Sequence, residues 1–262
     1  MDFGLSSKKA LVLASSRGLG LGIAEALAAE GCTVMLVGRT ADRIKANAEA
    51  ITAKGKGKAY GMAADLGAPG AVDEIVALAE KTLGQIDILV NNTGGPPAKP
   101  ATEVGADEWA KYFKQMVEPV FAITAKVLPG MRARKWGRVL TVASSGVEQP
   151  IPNLALSNAL RSSIVGWSKT LSTEVAKDGV TVNMILPGRI ATDRIKELDQ
   201  ANAQRSGKSM EEVEAASIAT IPAARLGTAA EFGAVGAFLC SEAASYITGS
   251  KIRVDGGATR SI

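Results

Sequence analysis

The chain has 262 residues and a net charge of +4, with 47% hydrophobic and 21% charged residues, a balance typical of a soluble globular protein. It contains no histidine, which excludes a Ser-His-Asp triad, a Cys-His pair, a histidine-ligated zinc and a histidine general base. No dense Lys/Arg cluster interleaved with aromatic residues occurs, and the longest apolar runs have the length of a strand, so we expect neither a nucleic-acid partner nor a membrane span.

The N-terminal segment, MDFGLSSKKALVLASS, runs directly into a glycine-rich turn. This pattern predicts a first strand rather than a signal peptide. The two cysteines, Cys32 and Cys240, lie far apart in apolar surroundings, and we expect buried free thiols rather than a disulfide or a metal site. These features together favour a cytoplasmic protein.

Short aliphatic runs alternate with helical periodicities along the chain. Strands are predicted at 9–14, 33–38, 58–63, 87–92, 138–143, 180–186 and 250–255, and helices at 19–30, 41–53, 71–83, 107–134, 154–178 and 229–241. Alternation of this kind predicts an α/β fold, a Rossmann-like, doubly wound sandwich in which helices cover both faces of a seven-stranded parallel sheet. No break in composition divides it, so residues 1–262 are interpreted as a single domain.

One polar, strand-free stretch at about 193–221 interrupts this alternation just after the sixth predicted strand. Ligands of open α/β sheets bind at the carboxyl ends of the strands, so this helical insertion is a candidate lid. A pair of surface helices without a gating role is the alternative, and the sequence does not separate the two.

The first strand is followed by ASSRGLGLG and then by a helical pattern. Glycines at Gly18 and Gly20 allow a tight turn whose N–H groups and helix N-terminus can bind a pyrophosphate. After the second strand stands Arg39 rather than a carboxylate, and Arg17 lies within the glycine turn. Two guanidinium groups converging on a 2′-phosphate favour NADP(H) over NAD(H), although Arg39 could instead be a solvated residue at a helix start.

Five motifs in order resemble those of the short-chain dehydrogenase/reductase family, in particular its 3-oxoacyl-(acyl carrier protein) reductases, over essentially the whole chain. The motifs are LASSRGLG, with Leu13 and Ala14 in place of the family's Thr and Gly, NNTG after the fourth strand, GWSKTLSTEVA, Pro187-Gly188 with Thr192, and YITGSKIRVDGG. The resemblance implies a cofactor-binding set, which comprises Ser16, Arg17, Gly18, Leu19, Gly20, Arg39, Asp65, Leu66, Asn91, Thr93, Gly94, Arg161, Pro187, Gly188, Ile190 and Thr192.

The family's chemistry is hydride transfer between nicotinamide and a carbonyl or alcohol, carried out by a Ser, Tyr, Lys and Asn. The register of the flanking motifs places Ser144 at the Ser position, but Ser157 where Tyr is expected and Arg161 where Lys is expected. Met116 stands at the Asn position. The tyrosines Tyr60, Tyr112 and Tyr246 lie elsewhere, and structural roles are expected for each.

Two interpretations follow from this altered tetrad. In the first, the catalytic residues are Ser144, Ser157 and Arg161, with Arg161 clamping the ribose and water supplying the proton to a small-molecule carbonyl substrate. In the second, the protein binds NADP(H) without turnover, as a sensor or a partner-binding protein. Glu148 is a weaker candidate for a substitute base.

The substrate and the assembly are the least defined features. Arg189 and Arg194 together with Arg161 could bind an acidic or phosphorylated ligand, or could face solvent or pair with carboxylates of the insertion. The resemblance implies a homotetramer or homodimer built from the longest helices and the C-terminal strand region.

Overall fold

In the computed structural model, which describes residues 2–261, seven parallel strands form one sheet in the order β3-β2-β1-β4-β5-β6-β7. The strands are β1 (Lys9–Val12), β2 (Thr33–Gly38), β3 (Lys58–Ala63), β4 (Ile88–Asn91), β5 (Gly137–Val142), β6 (Val180–Pro187) and β7 (Lys251–Val254). Helices cover both faces, which confirms the predicted doubly wound, Rossmann-like fold class.

The central strands are aliphatic because both of their faces are buried. Leu11 of β1, for example, is in register with Met35 of β2 and Leu89 of β4, and all three are fully or almost fully buried. The strand order reverses between β1 and β4, which opens a crevice at their carboxyl ends. This switch point positions the site described below.

The helices form a layer on each side of the sheet. They are α1 (Gly18–Ala29), α2 (Ala41–Ala53), α3 (Ala71–Leu83), α4 (Ala106–Met116), α5 (Glu118–Ala133), α6 (Ala155–Val175), α7 (Asp193–Ser206), α8 (Met210–Ile218) and α9 (Ala229–Leu239). One apolar core joins α1, α2 and α9 to the sheet, and a second joins α3 and α5 to its other face. The stretch 193–221 contains α7 and α8.

The prediction of a single helix over 107–134 is wrong, because the structure has two helices there, α4 and α5. The break lies at Val117, which separates the two helices and whose φ of −108° is well away from the usual helical value of about −63°. Pro119 lies two residues further on. It has no N–H to donate to the carbonyl oxygen of Gln115, and its ring would clash with that carbonyl in a continuous helix. Met116 is therefore the last residue of α4.

Cys32 and Cys240 are buried free thiols, as predicted. Burial raises the pKa of Cys32 to about 12 and that of Cys240 still further, so neither is a reactive thiolate. Within residues 2–261, no helix is both long enough and apolar enough to cross a bilayer.

Candidate active site

A cavity of about 820 Å³ lies at the carboxyl ends of the central strands. It collects residues that the sequence places far apart, from the glycine turn after β1, the loops after β4, β5 and β6, and the start of α6. The predicted site residues on its wall are Ser16, Arg17, Gly18, Leu19, Arg39, Asp65, Leu66, Thr93, Gly94, Ser144, Ser157, Arg161, Pro187, Gly188, Ile190 and Thr192.

Two predicted cofactor ligands do not line this cavity. Asn91 is fully buried and donates a hydrogen bond to Thr124, while its neighbour Asn92 lines the wall instead, since successive strand residues point to opposite faces. Gly20 is buried in α1 and acts by allowing close packing. A Cβ there would lie 2.7 Å from Asn92 Nδ2 and 2.8 Å from the carbonyl oxygen of Ala14.

The glycine turn is held by side chains of the neighbouring strands and helix. The Ser15 hydroxyl donates to the carbonyl oxygen of Val12 and accepts from the N–H of Val37 at 3.1 Å, and Asn47 of α2 donates to the carbonyl oxygen of Ser16. Ala14, where the family has glycine, has φ +45°. This left-handed backbone strains an alanine.

The two arginines predicted at the adenosine end have different surroundings. Arg39 is exposed on the cavity rim, and no carboxylate of residues 2–261 lies within 4.0 Å of its guanidinium. Arg17 bridges to α7, with Nη1 2.9 Å from Asp193 and Nη2 3.3 Å from Glu197. Its guanidinium therefore connects the glycine turn to α7.

Ser144 follows β5 and begins a short 3-10 turn. Its hydroxyl oxygen accepts the N–H of Gly146 at 3.0 Å, which fixes the side chain while leaving its O–H free to donate into the cavity. The neighbouring loop is attached to α6 by Asn158, which bonds both backbone groups of Ile151. Ser144 is therefore held on a rigid wall.

Ser157 and Arg161 lie one turn apart on α6, facing the same cavity, and each is only 8% exposed. Arg161 Nη1 donates to the carbonyl oxygen of Val142 at 3.0 Å, and no carboxylate of the described chain lies within salt-bridge distance. The Ser157 hydroxyl makes no hydrogen bond to any residue from 2 to 261. Burial, followed by the charge of Arg194, lowers the pKa of Arg161 to about 10, so it remains cationic at neutral pH.

The other two arginines near the substrate end are already engaged with α7 and the loop after β4. Arg189 Nη2 lies 2.5 Å from the buried carboxylate of Asp199. Arg194 donates to the carbonyl oxygen of Pro96 at 2.6 Å and lies 3.7 Å from Glu197. Arg189 and Arg194 are therefore paired with protein groups, which was one of the two alternatives. Of the three arginines, Arg161 is the one whose charge no carboxylate of the described chain compensates.

Comparison with known proteins agrees with this architecture. The sequence model of the family described as Enoyl-(Acyl carrier protein) reductase matches residues 13–259. The 3-oxoacyl-[acyl-carrier-protein] reductase FabG of Salmonella typhimurium is 34% identical over 252 residues, covering 95% of this chain and 96% of its own. The chain belongs to the short-chain dehydrogenase/reductase family. D-beta-hydroxybutyrate dehydrogenase of Cupriavidus necator, another relative, is 33% identical over 97% of the chain and 98% of its own.

A solved structure of the same family superposes on the whole chain. L-sorbose reductase from Gluconobacter frateurii, crystallised with NADPH and L-sorbose, has a TM-score of 0.94 at 33% identity and covers 100% of both chains. The fold is thus that of short-chain reductases.

The structure also brings a phenol to the cavity that the sequence analysis assigned to a structural role. Tyr112 lies on α4 one turn before Met116, and both line the cavity. The signal was present as an i, i+4 spacing from Met116 on the same helix face. Tyr112 is the one tyrosine of the described chain on this wall.

Glu148 is not among the described residues that line the cavity. Its side chain is 10% exposed and pairs with Lys251 at 2.8 Å and with Arg253 on β7. Burial alone would raise the pKa of this carboxyl, but the hydrogen bonds from Lys251 and Arg253 outweigh burial and lower it. Glu148 is thus a weak base that links the loop after β5 to the last strand.

Proposed function

We propose that this protein is an NADP(H)-dependent oxidoreductase that transfers hydride between nicotinamide and a carbonyl or alcohol substrate. The observation that carries the proposal is the convergence of Ser144, Ser157 and Arg161 on one wall of the cavity, with free donor groups. These residues take the place of the family's Ser, Tyr and Lys.

The residues at the adenosine end fit a phosphorylated dinucleotide. The N-terminus of α1 has no side-chain cap, so its N–H groups are available to a pyrophosphate. Arg39 has no carboxylate partner in the described chain and would meet the 2′-phosphate, while Arg17 would exchange its bonds with Asp193 and Glu197 for the same group. The NADPH bound by L-sorbose reductase supports this assignment.

The hydroxyls and the guanidinium of the altered tetrad would polarise the substrate. When bound, the reduced nicotinamide supplies the hydride. Ser144 would donate a hydrogen bond to the substrate carbonyl oxygen, and Ser157 with the cationic Arg161 would hold the substrate beside it and stabilise the negative charge that develops on that oxygen. Arg161 would also contact the nicotinamide ribose, in place of the family's Lys.

The proton that completes the alcohol comes from water in this mechanism. A serine hydroxyl is a much weaker acid than a phenol, and Arg161 with a pKa of about 10 stays protonated. Loss of general acid catalysis typically slows a reaction by about 10²–10⁴-fold, so we expect a slow enzyme rather than an inactive one.

Two features of the whole chain belong to the same proposal. We assign α7 and α8 as a lid of a single-domain enzyme, because Arg17 and Arg194 connect α7 to the glycine turn and to the loop after β4, both of which border the cavity. We assign a homotetramer or homodimer by analogy with the family, and its mass in solution tests this assignment.

The test has a binding step and a turnover step. NADPH is titrated by fluorescence, and carbonyls and alcohols are then screened for a change in the absorbance of the reduced nicotinamide. We expect binding and slow turnover of at least one carbonyl. Binding of NADPH with no turnover on any substrate would assign the protein as a sensor, and failure to bind either dinucleotide would refute both functions.

A further inference from the structure

We propose that the wall formed by Ser157 and Arg161 is a carboxylate-binding site, so that the substrate of the proposed reaction carries a carboxylate close to its reacting carbon. The inference rests on the proposed function for the reaction, but the site itself is argued from unsatisfied groups in the cofactor-free protein.

Arg161 carries a charge that the rest of the described chain does not compensate. A buried guanidinium is costly unless a carboxylate or several acceptors compensate it. Arg161 is 8% exposed and has one acceptor, the carbonyl oxygen of Val142, with no carboxylate of residues 2–261 within 4.0 Å. Arg138, only 2% exposed, shows the contrast, since it donates to three backbone carbonyl oxygens, pairs with Glu242 and stacks on Trp136.

The Ser157 hydroxyl, one helical turn from Arg161, is also left without a partner among residues 2–261. Ser157 is also 8% exposed and has no hydrogen-bond partner in the described chain, although Ser162 and Ser163 on the same helix donate to backbone carbonyl oxygens. Two polar side chains on one helix face are therefore left open toward the same cavity. A ligand oxygen that accepts from both would satisfy them together.

The charged residues on the cavity wall indicate the charge and shape of the ligand. Arginines outnumber carboxylates on the cavity wall by six to four, and Arg189 and Arg194 already have partners on α7 or the facing loop. One uncompensated guanidinium with an adjacent hydroxyl matches a monoanion. A planar carboxylate accepts two parallel N–H groups of an arginine, which a lysine cannot provide. The replacement of Lys by Arg at position 161 thus acquires a chemical reason.

Isothermal titration on the NADP⁺-saturated protein tests this site without turnover, because both cofactor and probe are oxidised. The probes are acetoacetate and its neutral isostere acetoacetamide, with inorganic phosphate as a third. We expect acetoacetate to bind at least about 10-fold more tightly than acetoacetamide, the ratio typical of a charge-assisted pair. Equal binding of these two probes would overturn the inference, and tighter binding of phosphate would reassign the site to a phosphorylated ligand.

Variants assign the preference to the residue. In Arg161→Gln we expect the acetoacetate-to-acetoacetamide ratio to fall to near unity, because the charge is gone. Arg205→Gln, on the exposed end of α7 at the same cavity, is the matched control and should keep the wild-type ratio. A preserved ratio in Arg161→Gln would refute the site. If that variant does not fold, Arg161→Lys decides, with an expected loss of preference of about 3-fold or more from the missing fork.

The outcome separates this inference from the proposed function. Normal NADP⁺ binding with no preference for the carboxylate refutes the inference alone. Failure to bind NADP⁺ refutes the proposed function, and the same titrations on the cofactor-free protein then test the anion site by itself.

Discussion

Replacing Arg161 by methionine is expected to stabilise the cofactor-free protein. Burial lowers the pKa of Arg161 to about 10, and at about 1.4 kcal/mol per pKa unit the folded state loses about 3 kcal/mol by keeping this cation. Methionine has a similar length and no charge. Its substitution leaves the carbonyl oxygen of Val142 without this donor, which costs about 1–2 kcal/mol. The net expected gain is about 1–2 kcal/mol in the free energy of unfolding.

The dependence on pH follows from the same shift. The folded-state pKa of Arg161 is depressed relative to the unfolded chain, so the unfolded state binds more protons above about pH 10 and the penalty shrinks there. Between about pH 6 and 9 both states are fully protonated at this residue, and the gain in Arg161→Met should be constant.

Chemical and thermal denaturation of the two proteins measure this gain. We expect the midpoint to rise at unchanged m-value, with a melting temperature higher by about 2–6 °C. Arg138→Met is the matched control, because Arg138 is also buried but is compensated by carbonyl oxygens and Glu242, and its replacement should destabilise the protein by about 2–4 kcal/mol. Destabilisation of Arg161→Met to the same degree would show that Arg161 is a structural residue and refute the reasoning.

Three further substitutions probe the rest of the site. Ala14→Gly relieves a φ of +45° and should raise the free energy of unfolding by about 0.5–1 kcal/mol by denaturation, since strain relief of about 1–2 kcal/mol exceeds the added chain entropy; a loss of stability would contradict the strain. Arg39→Ala should weaken NADPH binding about 10–100-fold and leave the affinity for NADH unchanged in fluorescence titrations. Arg43→Ala, at an exposed position nearby in sequence, should change neither affinity. Equal effects of Arg39→Ala on both dinucleotides would refute the assignment of Arg39 to the 2′-phosphate. Tyr112→Phe should change kcat by less than about 3-fold if water is the proton source, and a loss of about 10²-fold or more would assign the proton to this phenol.

The sheet could be predicted from the sequence because its strands are continuous aliphatic runs separated by helical periodicity. The predicted bounds of β2 and β3 match the structure, and the other strands differ by one or two residues at their ends. The break at Val117 was missed because Pro119 sits near the start of a new helix, where proline is tolerated, so the pattern looked continuous.

The site could be predicted as a set of loops but not as a set of interactions. Register along the chain placed Ser157 and Arg161 on the cavity wall, as the structure has them. Which arginines keep a free charge depends on where α7 lies, and only the folded chain brings Asp199 to Arg189 and Pro96 to Arg194. Asn91 was predicted on the cavity wall, but Asn92 lies there instead. The difference arises because successive residues at the end of β4 point to opposite faces.

Deuteride transfer from nicotinamide tests the central proposal most directly. The protein is incubated with NADPH carrying deuterium at the transferable position of the nicotinamide and with acetoacetate, and the product is examined by mass spectrometry. The account predicts an alcohol with one deuterium on the former carbonyl carbon, formed slowly by the wild-type protein and lost in Arg161→Gln. Tight NADPH binding with no labelled alcohol from acetoacetate or from any other carbonyl in the screen would contradict it.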